Sequence, residues 1–136
     1  MKQANPINIR HIDHVVLRVA NLNTMSEFYC NVLGCRLERG PGTLGLVQLR
    51  AGNALIDLAD INGPLGQKGG GAPDHSAPTV DHFCLRISPW CEEDIIAHLK
   101  HHNVKMGSVE ERYGASGRGP SLYIEDVEGN KVELKG

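Results

Sequence analysis

Two hydrophobic periods alternate along the chain, and they do so twice. Residues 11–19 read HIDHVVLRV, an alternating run rich in β-branched side chains that predicts a strand. After Ala20-Asn21-Leu22-Asn23, apolar residues recur at Met25, Phe28, Tyr29, Val32 and Leu33, the spacing of one helix face. Asn23 or Thr24 is placed to cap that helix, and Gly34 to end it in a left-handed turn. Strands are then predicted at 35–39, 44–50 and 53–58, separated by Gly-Pro-Gly and Ala-Gly turns.

Residues 62–79 are rich in Gly and Pro and have no period, which marks a connector. Beyond it the series recurs: a strand at 80–87, a helix at 91–101 opened by Glu92-Glu93-Asp94, and strands at 105–110, 121–125 and 131–134. The glycine-containing stretch 110–120 between the last three reads as a loop. The two halves echo each other in sequence, IDHVVLRV against VDHFCLRI. A βαβββ unit this short cannot easily bury its own sheet, so two must pair. The expected fold is α+β: a first module at 8–64, a connector at 65–79 and a second module at 80–136, together an open eight-stranded cup.

With 136 residues, 40% of them hydrophobic, the chain can fill one real core. Its formal charge of -2, with acids and bases interspersed, gives no field to draw it to nucleic acid or an anionic membrane. A small molecule is the better partner. The opening residues lack the apolar core of a secretory signal, and no apolar run approaches a membrane span, so a cytoplasmic location is expected. Cys30, Cys35, Cys84 and Cys91 follow neither zinc-knuckle nor disulfide-scaffold spacing and read as buried or partly exposed free thiols.

Strand parity brings chemistry into view. His14 shares a face with Val16 and Arg18, and His82 with Cys84 and Arg86. In the last strand Val132 and Leu134 take the core side, which turns Glu133 to the other. Two imidazoles and a carboxylate suit one divalent ion such as Ni, Co, Mn, Fe or Zn and leave positions open for substrate. The plainer alternative is that each histidine is a satisfied polar residue at a strand start. Asp57 is either a fourth ligand or an acceptor of ordinary hydrogen bonds. His75, His98, His101 and His102 fit a connector and a helix end. Arg118, in the glycine-rich stretch, offers a charged fork to an anionic ligand.

The strand HVVLRVANL from His14, the helix end FYCNVLG at 28–34, the strand VDHFCLRI from Val80 and the closing SLYIEDVEGNKVELKG at 121–136 resemble the vicinal-oxygen-chelate superfamily. That group includes glyoxalase I, fosfomycin-resistance thiol transferases and extradiol dioxygenases. The resemblance implies metal ligands at His14, His82 and Glu133, and a further one where Asp57 stands in place of the longer glutamate of glyoxalase I. It also implies an anion-anchoring role for Arg18 and contact with substrate for Ser121 and Tyr123. The expected activity is that of a metal-dependent lyase or isomerase on a small oxygenated substrate, such as a thiol adduct, through a metal-stabilised enediolate, with Glu133 or Asp57 moving the proton. Thiol transfer to an epoxide, extradiol-type oxygenation and non-enzymatic binding are the alternatives. A homodimer is expected, with the modules pairing either within one chain or across two.

Overall fold

The computed structural model describes residues 4–136. Strand β1 (His14–Val19) leads to helix α1 (Leu22–Glu27), which runs on as a π-helical turn (Phe28–Val32), and to β2 (Arg36–Arg39), β3 (Leu46–Ala51) and β4 (Ala54–Asp60). A 3-10 turn (Gly66–Gly69) lies in the connector, followed by β5 (Phe83–Arg86), α2 (Glu92–His101), β6 (Glu110–Gly114), β7 (Gly117–Glu125) and β8 (Lys131–Lys135). Each module forms its own four-stranded sheet, ordered β1-β4-β3-β2 and β5-β8-β7-β6. The first pair in each is parallel and the rest are antiparallel. This is the paired βαβββ architecture of the expected cup. No helix among the described residues is long and apolar enough to cross a membrane.

One continuous core joins the modules. Val19, Met25, Tyr29, Leu49, Ile56 and Leu58 of the first meet Leu99, Leu122, Ile124, Val132 and Leu134 of the second, all nearly inaccessible to water. Polar contacts reinforce the seam. The Tyr29 hydroxyl donates to Asp126 Oδ2 at 2.8 Å, and the Glu128 carboxylate accepts from the backbone N–H groups of Ala20 (2.8 Å) and Asn21 (2.9 Å). His98 Nε2 donates to the Val32 carbonyl at 2.8 Å. The turn that closes the second module thus docks on the first module's helix start, where unpaired N–H groups favour a carboxylate.

Three local expectations change. The cap of α1 is Asn21, whose side chain accepts from Thr24 N at 3.0 Å, so the helix starts earlier than Asn23. The strand predicted at 105–110 is reduced to a single bridge between Met106 and Ile124. The stretch 110–120, read as a loop, instead forms the β6–β7 hairpin, turning at Ala115-Ser116. Its glycines serve close approach: a Cβ on Gly119 would lie 2.4 Å from the Gly136 carbonyl oxygen. A strand whose side chains are absent for that reason shows no alternation to read.

Candidate metal centre

Register carries the sequence repeat into space. Val16 pairs with Asp57 across β1 and β4, and Cys84 pairs with Glu133 across β5 and β8, so Asp57 and Glu133 hold equivalent places in the two modules. Gln48 and Tyr123 flank them, one on β3 and the other on β7. Alternation sets His14, Val16, Gln48 and Asp57 on the open face of the first sheet, while Val47, Leu49, Ile56 and Leu58 go to the core. His82, Cys84, Ser121, Tyr123 and Glu133 share the open face of the second, opposite Leu122, Ile124, Val132 and Leu134.

Both histidines are oriented by the residue before them. His14 Nδ1 lies 2.7 Å from Asp13 Oδ1, and His82 Nδ1 lies 2.7 Å from Asp81 Oδ2. A carboxylate only accepts, so Nδ1 carries the proton and the neutral ring offers Nε2 as a lone-pair donor. The same contact with Asp13 raises the His14 pKa above the ordinary imidazole value, against a small loss from burial and with help from Asp57.

In the second module, His82 Nε2 lies 3.6 Å from Glu133 Oε1. Two donors about 2.1 Å from one ion stand roughly 3.0 to 3.4 Å apart, so this pair is nearly at ligand spacing. The other carboxylate oxygen, Oε2, accepts from the Cys84 thiol at 3.1 Å. Burial would raise the Glu133 pKa, but donation from Cys84 and Tyr123 and the charges of His82 and Arg112 outweigh it and hold the carboxyl below its usual value. Cys84 is pushed up to about 12, by burial first and then by Glu133. Burial and the carboxylate likewise raise Tyr123.

The Tyr123 ring meets His82 edge-on at 5.1 Å and is flanked by the Arg112 guanidinium at 4.4 Å and the Lys131 ammonium at 5.1 Å from its centroid. Arg112 Nη1 also donates to the Ser121 hydroxyl, a fully buried group, at 3.1 Å. Arg118, the expected fork, pairs with Tyr113 and falls on the opposite side of the hairpin from Ser121 and Tyr123. Arg112 lies on their side instead, with its Nη2 paired to Glu110 at 2.9 Å. Only the hairpin register reveals it, and the register was hidden by the glycines.

In the first module, Asp57 is 2% exposed. Its Oδ2 accepts from Gln48 Nε2 at 3.0 Å, whereas Oδ1 is buried with no hydrogen-bond partner. A buried carboxylate oxygen left this way is costly unless something else satisfies it. Arg18 does not face an open anion site. Its Nε donates to the Gly66 carbonyl (3.0 Å) and its Nη2 to those of Gly70 (2.5 Å) and Gly71 (2.9 Å). The connector wraps so tightly that a Cβ on Gly69 would lie 2.3 Å from Arg18 Nε. Arg18→Ala should therefore free this strap: trypsin cleavage after exposed Lys68 should accelerate about tenfold or more, as expected for losing charge-assisted bonds. An unchanged cleavage rate would show that Arg18 does not hold the strap.

The donor types and the orphaned Asp57 oxygen fit a borderline divalent ion. Among the described residues of one chain, however, no three His, Cys, Asp or Glu side chains come close enough to hold it together. His82 and Glu133 form one half of the expected set, and His14 with Asp57 lies on the other sheet. Beside His82 opens a cleft of about 290 Å³, walled by Leu17, His75, Val80, Glu125 and Lys131 among others. It is at the small end of ligand sites.

A family model for the glyoxalase/bleomycin resistance protein/dioxygenase superfamily matches residues 11–134. Among solved structures, an integron cassette protein from the mobile metagenome of V. cholerae is 28% identical, with a TM-score of 0.78 over 95% of this chain and 96% of that one. A virulence protein from Salmonella typhimurium is 27% identical, with a TM-score of 0.75 over 95% and 98%. A lactoylglutathione lyase from Agrobacterium tumefaciens is 24% identical, with a TM-score of 0.65 over 96% and 95%, a likeness of fold.

Proposed function

Because the chain belongs to the glyoxalase/bleomycin resistance protein/dioxygenase superfamily, we propose that it is a divalent-metal enzyme acting as a lyase or isomerase on a small oxygenated substrate. The observation that carries this reading is the pair His82 Nε2 and Glu133 Oε1, 3.6 Å apart beside a small cleft.

The remaining ligands come from a second copy. His14 leads β1 and His82 immediately precedes β5, and both strands are sheet edges with one side unpaired in the chain. Apolar residues at those edges are exposed: Ile12, Val16 and Val80. In a homodimer that sets β1 of one chain beside β5 of the other, His14 and Asp57 complete the half-site of His82 and Glu133, twice by symmetry.

A bound ion would polarise two neighbouring substrate oxygens and acidify the C–H bond next to them. The protein's own groups then have distinct tasks. Asp57, once its Oδ1 is released from the ion, would take the proton from that carbon and return it to its neighbour. Arg112, flanking Tyr123, holds the substrate's anionic end, a task that Arg18 leaves open while it is tied to the strap. Buried Ser121 fixes Arg112.

Opening of an epoxide by a thiol is a second reading, favoured by the Arg112–Tyr123–Lys131 arrangement, which suits a compact anion. A paired assay separates the two. The protein loaded with Ni, Co, Mn, Fe or Zn is offered a hemithioacetal and, separately, fosfomycin with several thiols. Hemithioacetal turnover lost in Glu133→Gln supports the lead, and turnover of the epoxide alone overturns it in favour of the second. Failure to take up about one ion per chain would remove the metal reading altogether.

A further inference from the structure

The geometry points to Cys84 as the positioning residue that fixes Glu133 to meet the ion through one oxygen. The inference rests on the metal reading above. Cys84 and Glu133 are register partners on adjacent strands with side chains on the same open face. The thiol reaches Oε2 at 3.1 Å, and Oε1 is thereby left toward His82 Nε2 at 3.6 Å. A glutamate side chain has three torsions, and a carboxylate free to rotate offers either oxygen, or both, to an ion. Tying Oε2 to the neighbouring strand removes that freedom and selects single-oxygen contact.

The internal repeat supplies a control within the same molecule. The place equivalent to Cys84 is Val16, which cannot donate. Asp57, equivalent to Glu133, nevertheless has one oxygen tied and one free, because Gln48 on its other flank donates to Oδ2 and leaves Oδ1 unpartnered. Each carboxylate thus has an oxygen tied by a donor on a neighbouring strand, Gln48 on β3 for Asp57 and Cys84 on β5 for Glu133, to which Tyr123 on β7 also donates. Two separate solutions to one geometric requirement argue that the requirement is functional.

A hydrogen-bonded partner of a ligand commonly changes ion affinity about 10- to 100-fold. Titration calorimetry with Co(II) on the homodimer should show Cys84→Ala binding about tenfold or more weakly than wild type. Cys84→Ser, which keeps a donor, should recover affinity to within about threefold. Melting temperature, read alongside, separates this from a general loss of fold, which would lower both variants together. The metal-free protein gives an independent readout: the infrared S–H stretch of Cys84 should lie at lower frequency than that of an unbonded thiol and shift back in Glu133→Ala, which removes the acceptor. Equal Co(II) affinity in Cys84→Ala and wild type would overturn the inference and leave the metal reading intact. A sulfur-to-cobalt charge-transfer band would overturn it in a different way, by making Cys84 a ligand. A wild type that binds no Co(II) or any other of the candidate ions would end the metal reading and this role with it.

Discussion

A one-to-one mixture of His14→Ala and Glu133→Gln chains, unfolded and refolded together, is expected to bind ion at about a quarter of its sites, although each variant alone binds at least a hundredfold more weakly than wild type, by analogy with the loss from milder changes around ligands. The proportion follows from symmetry. Random pairing makes about half of the dimers mixed. In a mixed dimer one site combines both defects, and the other combines the intact His14 of one chain with the intact His82 and Glu133 of its partner. Calorimetry after refolding gives the stoichiometry directly. Restoration requires that the ligands come from two chains, because a centre built within one chain would be damaged in every molecule of the mixture. A mixture that binds no better than its components, in a sample that light scattering shows to be dimeric, would mean that the ligands do not come from two chains. A sample that is only monomeric at tens of micromolar would remove the dimer.

What made the halves of the proposed centre legible was repetition. IDHVVLRV and VDHFCLRI put an Asp-His pair at the same place relative to two strands, and parity alone then sends both imidazoles to open faces. The same pairs hide the contact that the aspartates make, 2.7 Å from Nδ1 of the histidine that follows each of them. Parity also turned Glu133 correctly, because Val132 and Leu134 are unmistakably core residues. It could not say whether the two faces converge, since alternation fixes a side chain's face but not the relation between two separate sheets.

Other groups left weaker traces. Arg112 and Arg118 are equally good forks in sequence, and only the register of a hairpin turning at Ala115-Ser116 decides between them. Arg18 stands where an anion anchor is expected, yet three carbonyls supplied by residues 48 to 53 positions later in the chain take up its donors. Contacts that span that distance have no local signature. Cys84 read as one thiol among four, because its partner Glu133 is 49 residues away.

The turn 126–130 shows how much such a distant contact weighs, and Asp126→Ala is expected to lower stability by about 3 kcal/mol and the melting temperature by on the order of 10 °C. In the sequence this turn is marked only by Asp126-Val127-Glu128-Gly129, with its glycine. In the structure Asp126 is 5% exposed and gathers four donors: the Tyr29 hydroxyl (2.8 Å), the backbone N–H groups of Glu128 (2.9 Å) and Asn130 (2.9 Å), and Asn130 Nδ2 (2.8 Å). Alanine would strand Tyr29, which is inaccessible to water and whose ionisation burial and Asp126 together push far upward, so it must remain a neutral donor. It would also release the turn that carries Glu128 to the start of α1. Tyr29→Phe is the informative contrast: it removes one donor, leaves Asp126 with three and keeps the ring in the core, so its cost should be about 1 kcal/mol. Urea denaturation of the two variants beside wild type measures both values under one set of conditions. If Asp126→Ala cost no more than Tyr29→Phe, the carboxylate would be serving the tyrosine alone, and the seam between the modules would rest on its apolar contacts.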